Sequence, residues 1–287
     1  MRVGAVLVAI AVGGAALAGC GGRTSRSAVA APAALRTRAG APARLSTEPG
    51  ACAAVVQRTF RAVAARIAAR AALHRGRSAR VPALVAILTR PAPSACAATT
   101  GQTVANTVGV IGQRLVRTEA TGPEANHALR LMTHDAAFVR AVRTRDPAAL
   151  RAQIVHFFRI HRLHIVRVRA TTAAGQLVGD VGGPFVIAPA SRTIRDANGR
   201  TVGRVTLSVQ DDTGYIKLMR RFTGAGVVLR TASGVVPGSA TAPSGIPARG
   251  RVVVGGRRYA AFAFTTRAFP ARPMHVALLV PLDASAM

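Results

Sequence analysis

The sequence predicts an α+β protein in which N-terminal helices precede a five- to six-stranded antiparallel sheet carrying one inserted helix. Apolar residues recur at helical spacing from Ala51 to about His161, and at Leu163 the period switches to two. Turn signals then separate short alternating runs, with Asn198-Gly199 the strongest hairpin signal.

Val55-Val56, Thr59-Phe60, Val63 and Ile67 predict a first helix of about six turns, ending near His74-Arg75-Gly76. Val81 to Leu88 is a shorter piece bounded by Pro82 and Pro91. Val104, Val108, Ile111, Leu115 and Val116 share one stripe of an amphipathic helix from Val104 to Arg117. Gly122-Pro123-Glu124 opens the next, because proline suits a first-turn position whose amide has no helical partner. Asp135 and Asp146 each precede a helical pattern and read as N-caps. The last helix runs from Ala148 to His161 and carries Leu150, Ile154, Phe157 and Phe158.

"HIVRVRAT" then sets His164, Val166 and Val168 against Ile165, Arg167 and Arg169 on opposite faces of a strand. Leu177-Val178 and Phe185-Val186-Ile187 follow as short strands among "AAGQ" and "DVGG" turns. Beyond the Asn198-Gly199 hairpin, Val205, Leu207 and Val209 alternate with Arg204, Thr206, Ser208 and Gln210. Asp211-Asp212-Thr213 caps a helix from Gly214 to Phe222, and strands return at Val227–Arg230, Arg258–Phe264 and Val276–Val280.

Ahead of all this, Met1-Arg2 and the apolar run Val3 to Leu17 have the pattern of a signal peptide. At roughly 15 residues the run falls short of the about 20 that a spanning helix needs. Leu17-Ala18-Gly19-Cys20 resembles the lipobox of bacterial lipoproteins at all four positions. That resemblance implies removal of residues 1–19 and lipidation of Cys20, which places the mature chain on the outer face of the cell membrane. Two acyl chains, at about 0.8 kcal/mol per buried methylene, hold where one does not. Residues 20–50, rich in Ala, Pro, Ser, Thr, Gly and Arg, read as a flexible tether. A helical segment at 51–100 and a second region at 101–287 complete the expected organisation.

The chain has 39 basic and 10 acidic residues, a formal charge of +29. Its arginines are scattered, its aromatics amount to 4%, and export removes it from nucleic acid, so nucleic acid is not the expected partner. Anionic headgroups or wall polymers fit the charge better. With Cys20 assigned to lipid, Cys52 and Cys96 form an even pair in an oxidising compartment, where a disulfide or two free buried thiols are the alternatives. A bridge enclosing about 43 residues contributes about 4 kcal/mol by the loop-entropy estimate.

The order of long helices, strand, hairpin, "GGPFVIAP", a strand ending "SVQDDTGYIKL", a helix and closing strands resembles an extracytoplasmic Cache sensor domain, a PAS-like fold, over roughly Val104 to Leu282. The resemblance implies sensing of a small molecule held between the sheet and the loops or helix lying across it. Cache domains usually sit between two membrane helices and feed a cytoplasmic module. No such module follows here, so the expectation is a signal passed through a membrane partner. Amino-acid-binding members carry a Tyr/Arg/Trp/Asp constellation, and this chain has no tryptophan.

No catalytic pattern stands out: "GxSxG" is absent, the seven histidines are scattered, and "GDVGG" lacks the helix and lysine of a phosphate loop. The expectation is a protein without enzymatic activity, cofactor or metal. The candidate ligand face combines Arg167 and Arg169 on one strand with Thr206, Ser208 and Gln210 on another, and Tyr215 and Lys217 on the inserted helix could close over it. Arginine's fork suits a carboxylate or phosphate. The same side chains could instead face water on the wet side of an antiparallel sheet. A structural or adaptor lipoprotein docking a membrane kinase or the cell wall is the alternative function.

Overall fold

The computed structural model describes residues 49–72, 81–90, 92, 95–97, 99–160, 163–240, 243 and 245–282. The expected signal peptide, Cys20 and almost all of the expected tether lie outside the described residues.

The first half is helical, as its periodicity requires. Helix α1 (Pro49–Ala72) buries Val56, Phe60, Val63 and Ile67, which recur along one stripe. Helix α2 (Val81–Leu88) is followed by a segment in which Cys96 is bonded to Cys52, with the two Cα atoms 5.8 Å apart. Helix α3 (Thr100–Thr121) starts four residues before Val104, because Thr99 caps it by accepting from the Gln102 amide. The backbone of α3 lies unusually close to a sheet: a Cβ on Gly109 would sit 2.2–2.4 Å from the Phe262 ring. Helices α4 (Pro123–His134), α5 (Ala136–Thr144) and α6 (Pro147–Phe158) follow. Asp135 caps α5 by accepting from the Phe138 amide, and Asp146 caps α6 by accepting from those of Ala148 and Ala149.

The strands divide between two antiparallel sheets, where periodicity alone suggested one. Strands β1 (Arg167–Thr172), β2 (Leu177–Gly182), β3 (Ala190–Arg195) and β4 (Thr201–Ser208) pair in the order β2-β1-β4-β3. Helix α7 (Asp212–Thr223) leads into β5 (Gly226–Thr231), β6 (Gly234–Val235), β7 (Arg249–Val254), β8 (Arg257–Ala268) and β9 (Arg272–Pro281), ordered β6-β5-β9-β8-β7. Phe185 and Val186 join no strand, and Ile187 makes only an isolated bridge to Ala268.

Each sheet has its own helical cover, which is why the sheets separate. Val168, Ala170, Val205 and Leu207 of the first pack against α4, α5 and α6. Val227, Leu229, Val276 and Leu278 of the second pack against α1, α3 and α7. The opposite face of the second sheet carries Val228, Ala261, Ala277 and Leu279, with Ala240 and Ile246 laid over it from the segment between β6 and β7. Among the described residues no helix is long and apolar enough to cross a membrane.

Candidate functional site

The pairing of β1 with β4 sets Arg167 opposite Ser208 and Arg169 opposite Thr206, so these four do share one face of the first sheet. Their polar groups are largely engaged by the protein itself. Arg167 donates from Nε and Nη2 to the two oxygens of Asp180, at 2.8 and 2.9 Å, and from Nη1 to the carbonyls of Gly183 and Pro184, each at 2.7 Å. Its guanidinium also lies over the Phe269 ring, 4.7 Å from the centroid. The fork expected to take a ligand carboxylate already holds one of the chain's own. Arg169 Nη1 is 3.7 Å from the same Asp180.

The other candidates are similarly occupied or dispersed. Thr206 Oγ1 shares a 2.8 Å hydrogen bond with Ser191 Oγ. Ser208 is wholly buried and donates to the Ile187 carbonyl at 2.6 Å. Gln210 donates to the Asp211 carbonyl. Tyr215 is fully buried in the core of the second sheet, where burial pushes its phenol pKa up. Lys217 is exposed on the outside of α7. Arg167, Ser208 and Tyr215, expected to contact a ligand, are each engaged by or enclosed in the protein itself.

Two clefts, each lined in part by His275, offer a better site. The larger, about 580 Å³, lies between the Pro184–Val186 loop, the turn at Thr231–Ser233 and the β8–β9 turn, with Phe269, Arg272 and His275 on its walls. The smaller, about 300 Å³, sits on the outer face of the second sheet, floored by Val228, Ala263 and Ala277 and walled by Ile246, Arg230 and His275. Register fixes the polar row: Thr265, His275 and Arg230 stand side by side on β8, β9 and β5, with Thr265 Oγ1 3.3 Å from His275 Nδ1. Phe185, 36% exposed, offers an aromatic surface at the mouth.

Between them the two clefts are lined by two guanidinium groups, one imidazole and the hydroxyls of Thr231 and Ser233 beside apolar residues, with no carboxylate among the described lining residues. Such a lining suits an anion with an apolar body. Arg167 takes a different part from the one expected of it. It ties down the Gly183 and Pro184 carbonyls and packs on Phe269, while the Phe269 amide donates to Val186 at 2.8 Å. It stands behind the wall of the larger cleft. Periodicity does not point to Arg230, Thr265, Arg272 or His275; the available signal is the small-residue alternation of Ala261, Ala263 and Ala277, which leaves space above the sheet. Among the described residues no group of three or more His, Cys, Asp or Glu could hold a metal ion.

The molecule defined by this fold and site is an α+β domain with two helix-backed antiparallel sheets and an open, cationic cleft. No protein-family model matches the sequence. No curated protein matches it either. Among solved structures it is similar to the periplasmic domain of LuxQ from Vibrio cholerae, at 10% identity and a TM-score of 0.39 over 62% of this chain and 99% of that one. It is also similar to an extracellular ligand binding receptor from Desulfohalobium retbaense, at 10% identity and a TM-score of 0.35 over 63% of this chain and 40% of that one. A third is the ligand-binding domain of the Pseudomonas fluorescens chemoreceptor CtaA in complex with L-isoleucine, at 13% identity and a TM-score of 0.33 over 61% and 93% of the two chains.

Proposed function

We propose that this chain is a membrane-anchored, extracytoplasmic binding domain that senses a small anionic molecule in the clefts around His275, acting by binding rather than catalysis. The observation that carries the reading is the lining itself: Arg272 and His275 in the larger cleft, Arg230 and His275 in the smaller, with no carboxylate among the described lining residues. Calorimetric titration of the full chain against organic acids, amino acids and nucleobases tests it. A saturable ligand should bind about tenfold more weakly to Arg272→Ala and to His275→Ala, each removing one charged or polar contact. Failure of every ligand to bind, or equal binding by both variants, overturns the assignment of the cleft. Capture of a membrane kinase by a chain that binds no ligand would instead favour an adaptor role.

Anchoring rests on Leu17-Ala18-Gly19-Cys20 and on the tether that follows it. A Cys20→Ala variant should be released or left unprocessed. Retention in the membrane at the mature mass overturns the anchor. The bound state would reach the cell interior through a membrane partner, which co-purification from intact membranes, with and without ligand, should reveal.

A further inference from the structure

Helix α2 ends against α3, and between them lies a cleft of about 470 Å³ lined by Ala86, Ile87, Arg90, Arg114, Arg117 and Thr118. It is separate from the clefts at His275. Arg114, Arg117 and Thr118 share one face of α3 because they are three and four residues apart. Arg90 approaches from just beyond the end of α2. Arg114 Nη1 donates to the Arg90 carbonyl and lies 3.5 Å from those of Ile87 and Leu88, so it closes the carbonyl end of α2. Phe60 supports it from below, with Cζ 5.9 Å from the ring centroid.

That arrangement fixes one guanidinium in place and leaves its remaining donors, Nε and Nη2, without a hydrogen-bond partner among the described residues. Arg90 and Arg117 are exposed, and no described carboxylate pairs with any of the three. Burial, and then the like charges of Arg90 and Arg117, lower the affinity of Arg114 for its proton. The contrast with Arg167 is informative. There the chain places Asp180 against the fork, whereas here three forks converge on a cleft and their charge is unmatched.

We propose that this cleft binds a phosphate group. Guanidinium forks match phosphate oxygens in pairs, and three of them with the Thr118 hydroxyl suit a multiply charged, many-acceptor anion better than a single carboxylate. Ile87, 48% exposed, adds an apolar wall beside the charges. A lipid headgroup and a soluble ester both present this phosphate chemistry, and the wall at Ile87 tells them apart.

Calorimetric titration of the detergent-purified full chain with glycerol 3-phosphate, and separately with its diacylated form, dihexanoyl phosphatidic acid, tests the proposal. At least one probe should bind saturably, about tenfold more weakly in Arg90→Gln or Arg117→Gln and about a hundredfold more weakly in the double variant. Both side chains are exposed, so the urea midpoint should not change. Equal affinity for the two probes places recognition in the phosphate alone. A preference for the lipid that Ile87→Ser removes identifies a headgroup site. The charge-matched pair Arg220→Gln/Arg221→Gln on α7 should retain binding. Saturable binding of neither probe, retention by the Arg90/Arg117 double variant, or equal loss in the α7 pair overturns the proposal.

Discussion

Replacing Asp212 by asparagine should flatten the decline in stability expected as pH rises from about 5 to about 7.5. Asp212 is the first residue of α7 and only 4% exposed, and its Oδ1 has no hydrogen-bond partner. Burial, and then the neighbouring charge of Asp211, push its pKa from 3.8 up to about 7, while the Ile187 backbone pulls the other way. A carboxyl whose pKa is higher folded than unfolded takes up protons on folding. Its contribution is therefore greatest at low pH, declines once pH passes the unfolded value, and is lost as pH reaches the folded one. Integrated from pH 5 to 7.5, that difference amounts to on the order of 2.5 kcal/mol. Glu119 acts in the same direction: burial and then Glu124 raise its pKa from 4.5 to about 7, against the effect of His164. Urea unfolding at several pH values, on the wild type, Asp212→Asn and Glu119→Gln, separates the two groups. The Asp212→Asn curve should be flatter by on the order of 2 kcal/mol over this range. An equal slope in wild type and Asp212→Asn, or a wild-type stability that rises over the range, would refute the reasoning.

Gly109→Ala should lower stability by about 1–3 kcal/mol in thermal or urea unfolding, because its methyl group would overlap the Phe262 ring by more than the roughly 1 kcal/mol gain in helix propensity offsets. A stabilised variant would mean that α3 does not lie on β8 as described. The double variant Cys52→Ala/Cys96→Ala should lose about 4 kcal/mol, the loop-entropy value for a bridge of sequence separation 44. A loss under about 1 kcal/mol would show that the bridge does not constrain the unfolded chain. Arg167→Ala should cost about 2–4 kcal/mol, since it strands the Asp180 carboxylate, only 17% exposed, and frees two carbonyls. A double-mutant cycle with Asp180→Ala that shows no coupling would contradict the geometry.

Features set by neighbours in the chain were legible. The Asp135 and Asp146 caps, the Asn198-Gly199 turn and the switch from helix to strand each depend on contacts within a few residues. The division into two sheets was not. Strand β5 pairs with β9 rather than with a neighbour of the first sheet, and that choice depends on which helices cover which apolar face. Phe185-Val186 has strand composition, yet it forms a loop, because its apolar side chains line a cleft and the Phe269 amide, in the β8–β9 turn, donates to the Val186 carbonyl.

The candidate site divides along the same line. Period two placed Arg167, Arg169, Thr206 and Ser208 on one face, and they are there. What that face does depends on the residue opposite Arg169 on β2, and this is Asp180, hidden in a "GDVGG" stretch that reads as a turn. With 39 basic residues against 10 acidic ones, most arginines cannot have a carboxylate partner, so an unpaired arginine is no signal by itself. The signal is convergence. Arg230 on β5 comes to stand beside His275 on β9, distant in the chain, and Arg90 meets Arg114 and Arg117 across two helices. Each scarce carboxylate that the fold places against a base, such as Asp180 against Arg167 or Glu124 against His164, marks an arrangement satisfied from within. The clefts where cations gather without one are where the proposed anion sites lie.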